Sequence, residues 1–577
     1  MITLTHATVR FGATTALDDF TGAFPEGTVT AVVGGDGAGK STLLRVLAGL
    51  VPATSHQDGL IGDRHRIGYQ PADSGVWRNL SVAENVGFVA RTYRLDRATT
   101  RTRATQLLER AGLETARDRV AAHLSGGMRQ KLGFVLATLH RPDLVLLDEP
   151  TTGVDPLSRA DLWTLIASAA AEGTTVVMAT TYLDEAERAG RLYLLRSGRV
   201  IASGTPDEVI AATPGAVWQA PADGRAPLTG WRRGRSIRVW TRDAGPAPEG
   251  FARVTPDLED AAIVAQLGAG EPGAADAPVE EPEAEPSPRH AADGAPLLIA
   301  RDVVRHFGSV TALDGVSLVV GPGEVVGLIG GNGAGKTTLI RLALGLERPD
   351  AGSCLLLGGP PTLRTRRRIG YVAQGLALYP SLTARENLDF ASSVHGVRPG
   401  EQALEFTDRL GRRKVGTLPL GIRRQVAYLA ACVHDPDLLV LDEPTSGMDP
   451  LGRSRLWSDL RATAESGTGV LVTTHYMAEA AQCDRVVLLA AGRVIASGSP
   501  ADLTGAHRSV VVRTARWAVA FSALRAAGLP ATLAGRDVRV AGHQPDEVRR
   551  ELPAGLGEVR VEEAPATLDE VMVLAAR

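Results

Sequence analysis

Cysteine is scarce: Cys354, Cys432 and Cys483 are the only three in 577 residues, and none falls in a CxxC spacing. That excludes a disulfide scaffold and a structural zinc site, and it points to a reducing compartment. Lysine is nearly as rare, with Lys40, Lys131, Lys336 and Lys414 the only four among 62 Lys plus Arg. Where a generic positive charge suffices this chain uses Arg, so a retained Lys marks a position where the shape of the cation matters. Long apolar runs are missing too. No uninterrupted stretch of about 18 apolar residues occurs, and the opening MITLTHATVRFG lacks a charged region followed by an apolar one. Work at a membrane therefore needs another chain to span it. A net charge of -3, with 22% charged residues, argues against a nucleic-acid binder that relies on overall positive charge.

What is present is written twice. Length alone suggests two to four domains of about 150 residues each. VRFGATTALDDF at 9–20 recurs as VRHFGSVTALDGVS at 304–317, GGDGAGKSTLLRVLAGL at 34–50 as GGNGAGKTTLIRLALGL at 330–346, and LVLLDEPTTGVDP at 144–156 as LLVLDEPTSGMDP at 438–450. This is a duplicated domain, expected at 1–210 and 297–504, with small accessory regions at 211–268 and 505–577. The stretch 269–296 is acidic, rich in Pro and Ala and almost free of large apolar residues, so it reads as a flexible tether.

Each copy carries the same chemistry. Short β-rich runs at 28–33 and 324–329 lead into Gly-rich loops followed by amphipathic helices, a strand, loop, helix unit. Gly34, Gly35, Asp36, Gly37, Ala38, Gly39, Lys40, Ser41 and Thr42 match the Walker A pattern, as do Gly330, Gly331, Asn332, Gly333, Ala334, Gly335, Lys336, Thr337 and Thr338. Backbone amides at such a helix start cradle phosphates, the Lys reaches the β- and γ-phosphates, and the Ser41 or Thr337 hydroxyl binds Mg²⁺. Two of the four lysines stand here because a compact ammonium fits the phosphate nest where a planar guanidinium does not. The apolar runs 144–147 and 438–441 read as buried parallel strands, each ending in Asp-Glu-Pro. Asp148 and Asp442 are candidate Mg²⁺ ligands, and Glu149 and Glu443 stand one residue beyond, where a carboxylate orients or deprotonates an attacking water.

Leu124, Ser125, Gly126, Gly127, Met128, Arg129 and Gln130 resemble the signature motif of ATP-binding-cassette (ABC) proteins. Together with the Walker motifs, the D-loops at 153–155 and 447–449 and the candidate adenine-stacking aromatics Phe11 and Phe307, the resemblance covers nearly all of both repeats. It implies an α/β fold of two tandem P-loop NTPase (ABC ATPase) domains, each with a RecA-like mixed or parallel sheet core, a helical subdomain and a small C-terminal appendage. It further implies that ATP and Mg²⁺ are bound, and that the two domains pair head to tail within the chain, Walker A of one facing the signature of the other.

Copy aligned against copy exposes three departures. The second signature reads Leu418, Pro419, Leu420, Gly421, losing the Ser hydroxyl and one Gly. In the first copy Ala72 stands at the Q-loop position held by Gln374 in the second, with Gln70 two residues early. The switch residue His475 aligns with Thr181. Under head-to-tail pairing all three fall on one composite site. The other site combines Lys336, Gln374, Glu443 and His475 with the intact Ser125, Gly126 and Gly127, and it is expected to hydrolyse ATP; the alternative is that Gln70 and Tyr182 compensate by local rearrangement and both sites turn over. Gln374 is also a candidate Mg²⁺ contact there.

The THYMAEAAQCDRV run, the patterns at 155–163 and 449–457 after the D-loops and the terminal stretches 257–268 and 567–577 resemble ATPase subunits of drug- and polysaccharide-type ABC exporters. The resemblance implies a separately encoded integral-membrane permease as partner, contacted around 80–93 and 382–395, and a cytoplasmic place on the inner face of the membrane. Nucleic acid is not an expected partner. The alternative is a soluble tandem-cassette ATPase acting on the ribosome or in another non-transport role; the acidic connector weighs against the ribosome because rRNA phosphate repels it.

Overall fold

The computed structural model describes residues 1–575 apart from 13, 54–63, 155, 223–229, 235, 244, 270–293, 309, 332, 475 and 506. All but the ends of the acidic connector expected at 269–296 lie outside the described residues. The chain divides into two compact units, each drawn from three stretches: Met1–Thr213, Pro256–Gln266 and Arg508–Pro565 in the first, and Pro214–Thr255, Leu267–His507 and Ala566–Arg577 in the second.

The first unit is built on a six-stranded sheet in the order Ile67–Gln70, Leu144–Asp148, Thr175–Thr180, Val29–Val33, Arg191–Arg196, Arg199–Gly204. The first five strands run parallel and the last returns antiparallel. Parallel pairing forces helical crossovers onto both faces, which is why Val29–Val33 and Leu144–Asp148 are buried along their whole length. A hairpin of Ile2–Phe11 and Thr14–Phe24 packs its apolar face with the helix Lys40–Leu47 in a second core. The helices Val82–Thr92 and Arg97–Arg110 form a helical layer, the first fixed by a capping box between Ser81 and Glu84.

The second unit repeats this plan. Its sheet runs Ile369–Val372, Leu438–Asp442, Gly469–Thr474, Val325–Ile329, Arg485–Ala490, Arg493–Gly498. The hairpin Leu298–Phe307 and Val310–Val320 gains a third strand, Ala351–Leu356. Thr383 and Glu386 cap the helix Ala384–His395 as Ser81 and Glu84 cap its counterpart.

The appendages are exchanged. The resemblance implies that each cassette carries its own, yet the sheet Ala531–Ala534, Asp537–Ala541, Arg508–Arg513, Arg560–Pro565 belongs to the first unit. Its Val510, Phe521 and Leu524 share one core with Trp163 and Ile166 of the helix Pro156–Ala171. Buried Arg188 donates from Nε to the Gly535 carbonyl (2.9 Å) and from Nη2 to that of Leu533 (3.2 Å), and Arg536 donates to the Ala189 carbonyl (2.9 Å). In the second unit, the sheet Gly230–Arg233, Ser236–Thr241, Ala216–Pro221, Ala252–Val254 meets the helix Pro450–Glu465, with Ser454 Oγ accepting from the Arg232 amide (2.8 Å) and donating to its carbonyl (3.1 Å). Local sequence patterns define each appendage but carry no signal for the cassette it joins. No described helix is long and apolar enough to cross a membrane.

Candidate functional site

In each unit the central strand of the sheet ends at a glycine loop that turns into a helix. Gly39 has φ 104° and Gly335 φ 105°, a region side chains avoid, and a Cβ on Gly39 would meet the Ala16 carbonyl at 2.4 Å. Lys40 Nζ donates to the carbonyls of Gly34 (2.7 Å) and Gly35 (3.2 Å), and Lys336 Nζ to those of Gly330 (2.7 Å) and Gly331 (3.1 Å). Each ammonium is thus folded back over its own loop. Burial lowers the Lys336 pKa, with the Glu443 and Asp442 carboxylates opposing that shift. Ser41 Oγ donates to Asp148 Oδ1 (3.0 Å) and Thr337 Oγ1 to Asp442 Oδ2 (3.0 Å). Each hydroxyl and carboxylate pair is a hard oxygen donor set of the kind that suits Mg²⁺ beside phosphates. Burial raises the Asp148 pKa, which a cation at that oxygen would offset.

The two loops are near copies; the carboxylates behind them are not held alike. Both Glu149 (φ 48°) and Glu443 (φ 52°) sit in the left-handed region, and both amides donate to the neighbouring strand, to the Ala179 carbonyl (3.0 Å) and the Thr473 carbonyl (3.1 Å). In the second unit the Glu443 amide also reaches Thr473 Oγ1 (3.0 Å), which donates onward to Asp442 Oδ1 (2.5 Å). Arg424 Nη1 donates to the Glu443 carbonyl (2.6 Å) and Gln374 Nε2 to its carboxylate (3.3 Å). In the first unit Ala179 stands opposite Asp148 as Thr473 stands opposite Asp442. Glu149 lies instead 3.2 Å from Lys40 Nζ and accepts from Thr152 Oγ1 (3.2 Å). Lys336 and Glu443 are 3.9 Å apart.

Gln70, two residues before Ala72, is turned into the interior. It is 1% exposed, and its amide donates to Gln130 Oε1 (2.6 Å) and the Gln130 carbonyl (3.1 Å), while Gln130 Nε2 reaches the Ala72 carbonyl (3.2 Å). Thr181 and Tyr182 are buried; His475 and Asn332 lie outside the described residues. Ser125 caps the helix Gly126–Thr138, accepting from the Met128 amide (3.2 Å) at an exposed N-terminus, whereas Pro419 begins Leu420–Cys432 with no side-chain cap. Phe11 and Phe307 are half exposed at the hairpin ends, with the Arg305 guanidinium 4.8 Å above the Phe307 ring. Sequence reasoning missed Thr473 and Arg424; the same ungapped copy alignment sets them against Ala179 and Gln130.

Two P-loops, each backed by a strand ending in Asp-Glu, define a tandem P-loop NTPase. The ABC transporter family model matches residues 17–152 and 313–446. Over 523 residues the chain is 35% identical to a probable multidrug ABC transporter ATP-binding protein of Escherichia coli (strain K12), covering 83% of this chain and 89% of that one. Over 215 residues it is 42% identical to the Nod factor export ATP-binding protein I of Burkholderia lata, covering 35% of this chain and 70% of that one. A crystal structure of an archaeal ribosome recycling factor with a ribosomal stalk protein aligns with a TM-score of 0.57 at 19% identity, over 95% of this chain and 97% of that one; this likeness is one of fold. The chain belongs to the ABC transporter ATP-binding proteins: it is a tandem-cassette ATPase of exporter type.

Proposed function

We propose that this ATPase powers export through a separately encoded membrane permease on whose cytoplasmic face it docks, and that turnover is concentrated at the second cassette's P-loop. The relatives named for multidrug transport and Nod factor export support the direction. In this reading Lys336 and the loop amides hold the phosphates, Phe307 stacks on the base, and Glu443 takes a proton from the attacking water while Gln374 orients its carboxylate. Thr337 and Asp442 would hold Mg²⁺, which supplies charge neutralisation at the phosphates. The first cassette's signature completes this site through Ser125, Gly126 and Gly127, and His475 is assigned its switch role on resemblance. Lys40, Ser41 and Asp148 hold a second nucleotide that turns over slowly.

The carrying observation is the contrast at the two glutamates: Gln374 reaches Glu443, whereas Gln70 is locked inward and Glu149 leans on Lys40. The test is steady-state ATPase of two variants. Glu443→Gln loses about 10²–10⁴-fold, the range of a positioned acid or base, and Glu149→Gln loses under about tenfold. Equal losses sink the asymmetry. Cofractionation with membranes only when the permease is coexpressed tests the docking.

A further inference from the structure

We propose that Arg424 and Thr473 are positioning residues that hold the Glu443 carboxylate in working geometry, and that their absence from the first cassette is part of what makes its site slow. The inference rests on the assignment of Glu443 as the group that activates water. Glu443 occupies a left-handed backbone conformation (φ 52°) that is uncommon for a residue with a Cβ. Three hydrogen bonds from two residues brace the peptides on either side of it. The Thr473 carbonyl and hydroxyl both take the Glu443 amide (3.1 and 3.0 Å), and Arg424 grips the Glu443 carbonyl (2.6 Å). The peptide planes on both sides of the residue are therefore fixed, leaving the side chain little freedom beyond its own torsions.

Thr473 adds a second function. Its hydroxyl proton goes to Asp442 Oδ1 while the other oxygen, Oδ2, accepts from Thr337. Asp442 is thereby fixed in rotation, and the hydroxyl ties the aspartate and the glutamate into one hydrogen-bonded unit. Arg424 is 6% exposed and reaches its target from the helix Leu420–Cys432, so the helix that lost its own signature serine still serves the cassette it belongs to. In the first cassette both partners are gone: Ala179 offers no hydroxyl, and Gln130 spends its amide on Gln70 and Ala72. Glu149 keeps the same backbone conformation on one of the three bonds, its amide to the Ala179 carbonyl (3.0 Å).

The experiment installs the first cassette's residues in the second. Arg424→Gln and Thr473→Ala should each lower kcat for ATP hydrolysis by about ten- to a hundredfold, the cost of a misplaced catalytic group. KM for ATP and the thermal shift on adding ATP should stay within about twofold and a degree or two of wild type for Arg424→Gln, which leaves the Thr337 and Asp442 pair in place. Thr473→Ser, which keeps the hydroxyl, should retain near wild-type kcat. Wild-type kcat in both Arg424→Gln and Thr473→Ala overturns the proposal. So does a kcat loss in Thr473→Ser as large as in Thr473→Ala, which would mean that packing of the methyl and not the hydroxyl is at stake. Glu443→Gln, measured alongside, separates the two ideas. An active Glu443→Gln refutes the role of Glu443 itself, whereas an inactive one beside fully active Arg424→Gln and Thr473→Ala refutes only the positioning.

Discussion

Replacing Arg188 by Met should loosen the C-terminal appendage from the first cassette and leave the second unit as it was. Arg188 is 4% exposed and holds two carbonyls of the strand Ala531–Ala534 and its turn, at 2.9 and 3.2 Å, with the Trp163 ring 5.5 Å from its guanidinium. Hydrogen bonds to a charged group contribute about 1.5–3 kcal/mol each and a cation–π contact about 0.5–1 kcal/mol, against which the buried Met side chain recovers about 1.5–3 kcal/mol. The midpoints of these ranges leave a net loss of about 3 kcal/mol. At about 1.4 kcal/mol per decade, amides whose exchange follows detachment of this appendage should exchange roughly 100-fold faster. Native-state hydrogen exchange read by mass spectrometry on peptides covering 508–565 and 156–189 is the assay, because a two-unit chain has no single unfolding free energy. Peptides from the Gly469–Thr474 strand serve as the internal control. Acceleration below about threefold in 508–565, or equal acceleration in the control strand, would refute the assignment of this segment to the first unit.

Two glycines at matching signature positions should respond in opposite ways. A Cβ on Gly127 would meet Ser158 Cβ at 2.6 Å, so Gly127→Ala should cost about 1–3 kcal/mol and slow ATP turnover, whereas Gly421 has nothing within 4 Å and Gly421→Ala should be neutral or slightly stabilising in denaturant titrations. Stability should also fall as pH drops below about 6.5. Burial lowers the pKa of both His140, stacked on Tyr93, and His434, stacked on His395, to about 4. Between about 6.5 and 4 the unfolded chain binds protons that the native form refuses, so stability rises with pH across that window and is complete above it. Denaturant midpoints of a His140→Gln, His434→Gln double variant should show a shallower pH slope than wild type from pH 7 to 5, and an unchanged slope would refute the effect.

What was legible in the sequence was chemistry carried by contiguous residues. A P-loop needs its glycines, Lys and hydroxyl in fixed order, and a buried parallel strand is apolar from end to end, so Lys40, Lys336 and the strands ahead of Asp148 and Asp442 could be read directly. The direction of a single side chain was not. Gln70 lies two residues from the Q-loop position and could have compensated on paper; its inward lock depends on Gln130, 60 residues away. Thr473 and Arg424 act through hydrogen bonds spanning 30 and 19 residues, which no local pattern encodes. The exchanged appendages were equally invisible, since a strand's alternation shows that one face is buried but not what covers it.

That exchange sets an order on synthesis. Domains generally fold as they leave the ribosome, yet the first unit waits for Arg508–Pro565, made about 300 residues after its Met1–Thr213 stretch is complete. Until then the helix face bearing Trp163 and Ile166 and the carbonyl-seeking Arg188 have no appendage to meet, so the first cassette reaches its finished form after the body of the second has been translated. A chain truncated within the second cassette is therefore left with two incomplete units, a state that cellular quality control can recognise by its exposed apolar surface.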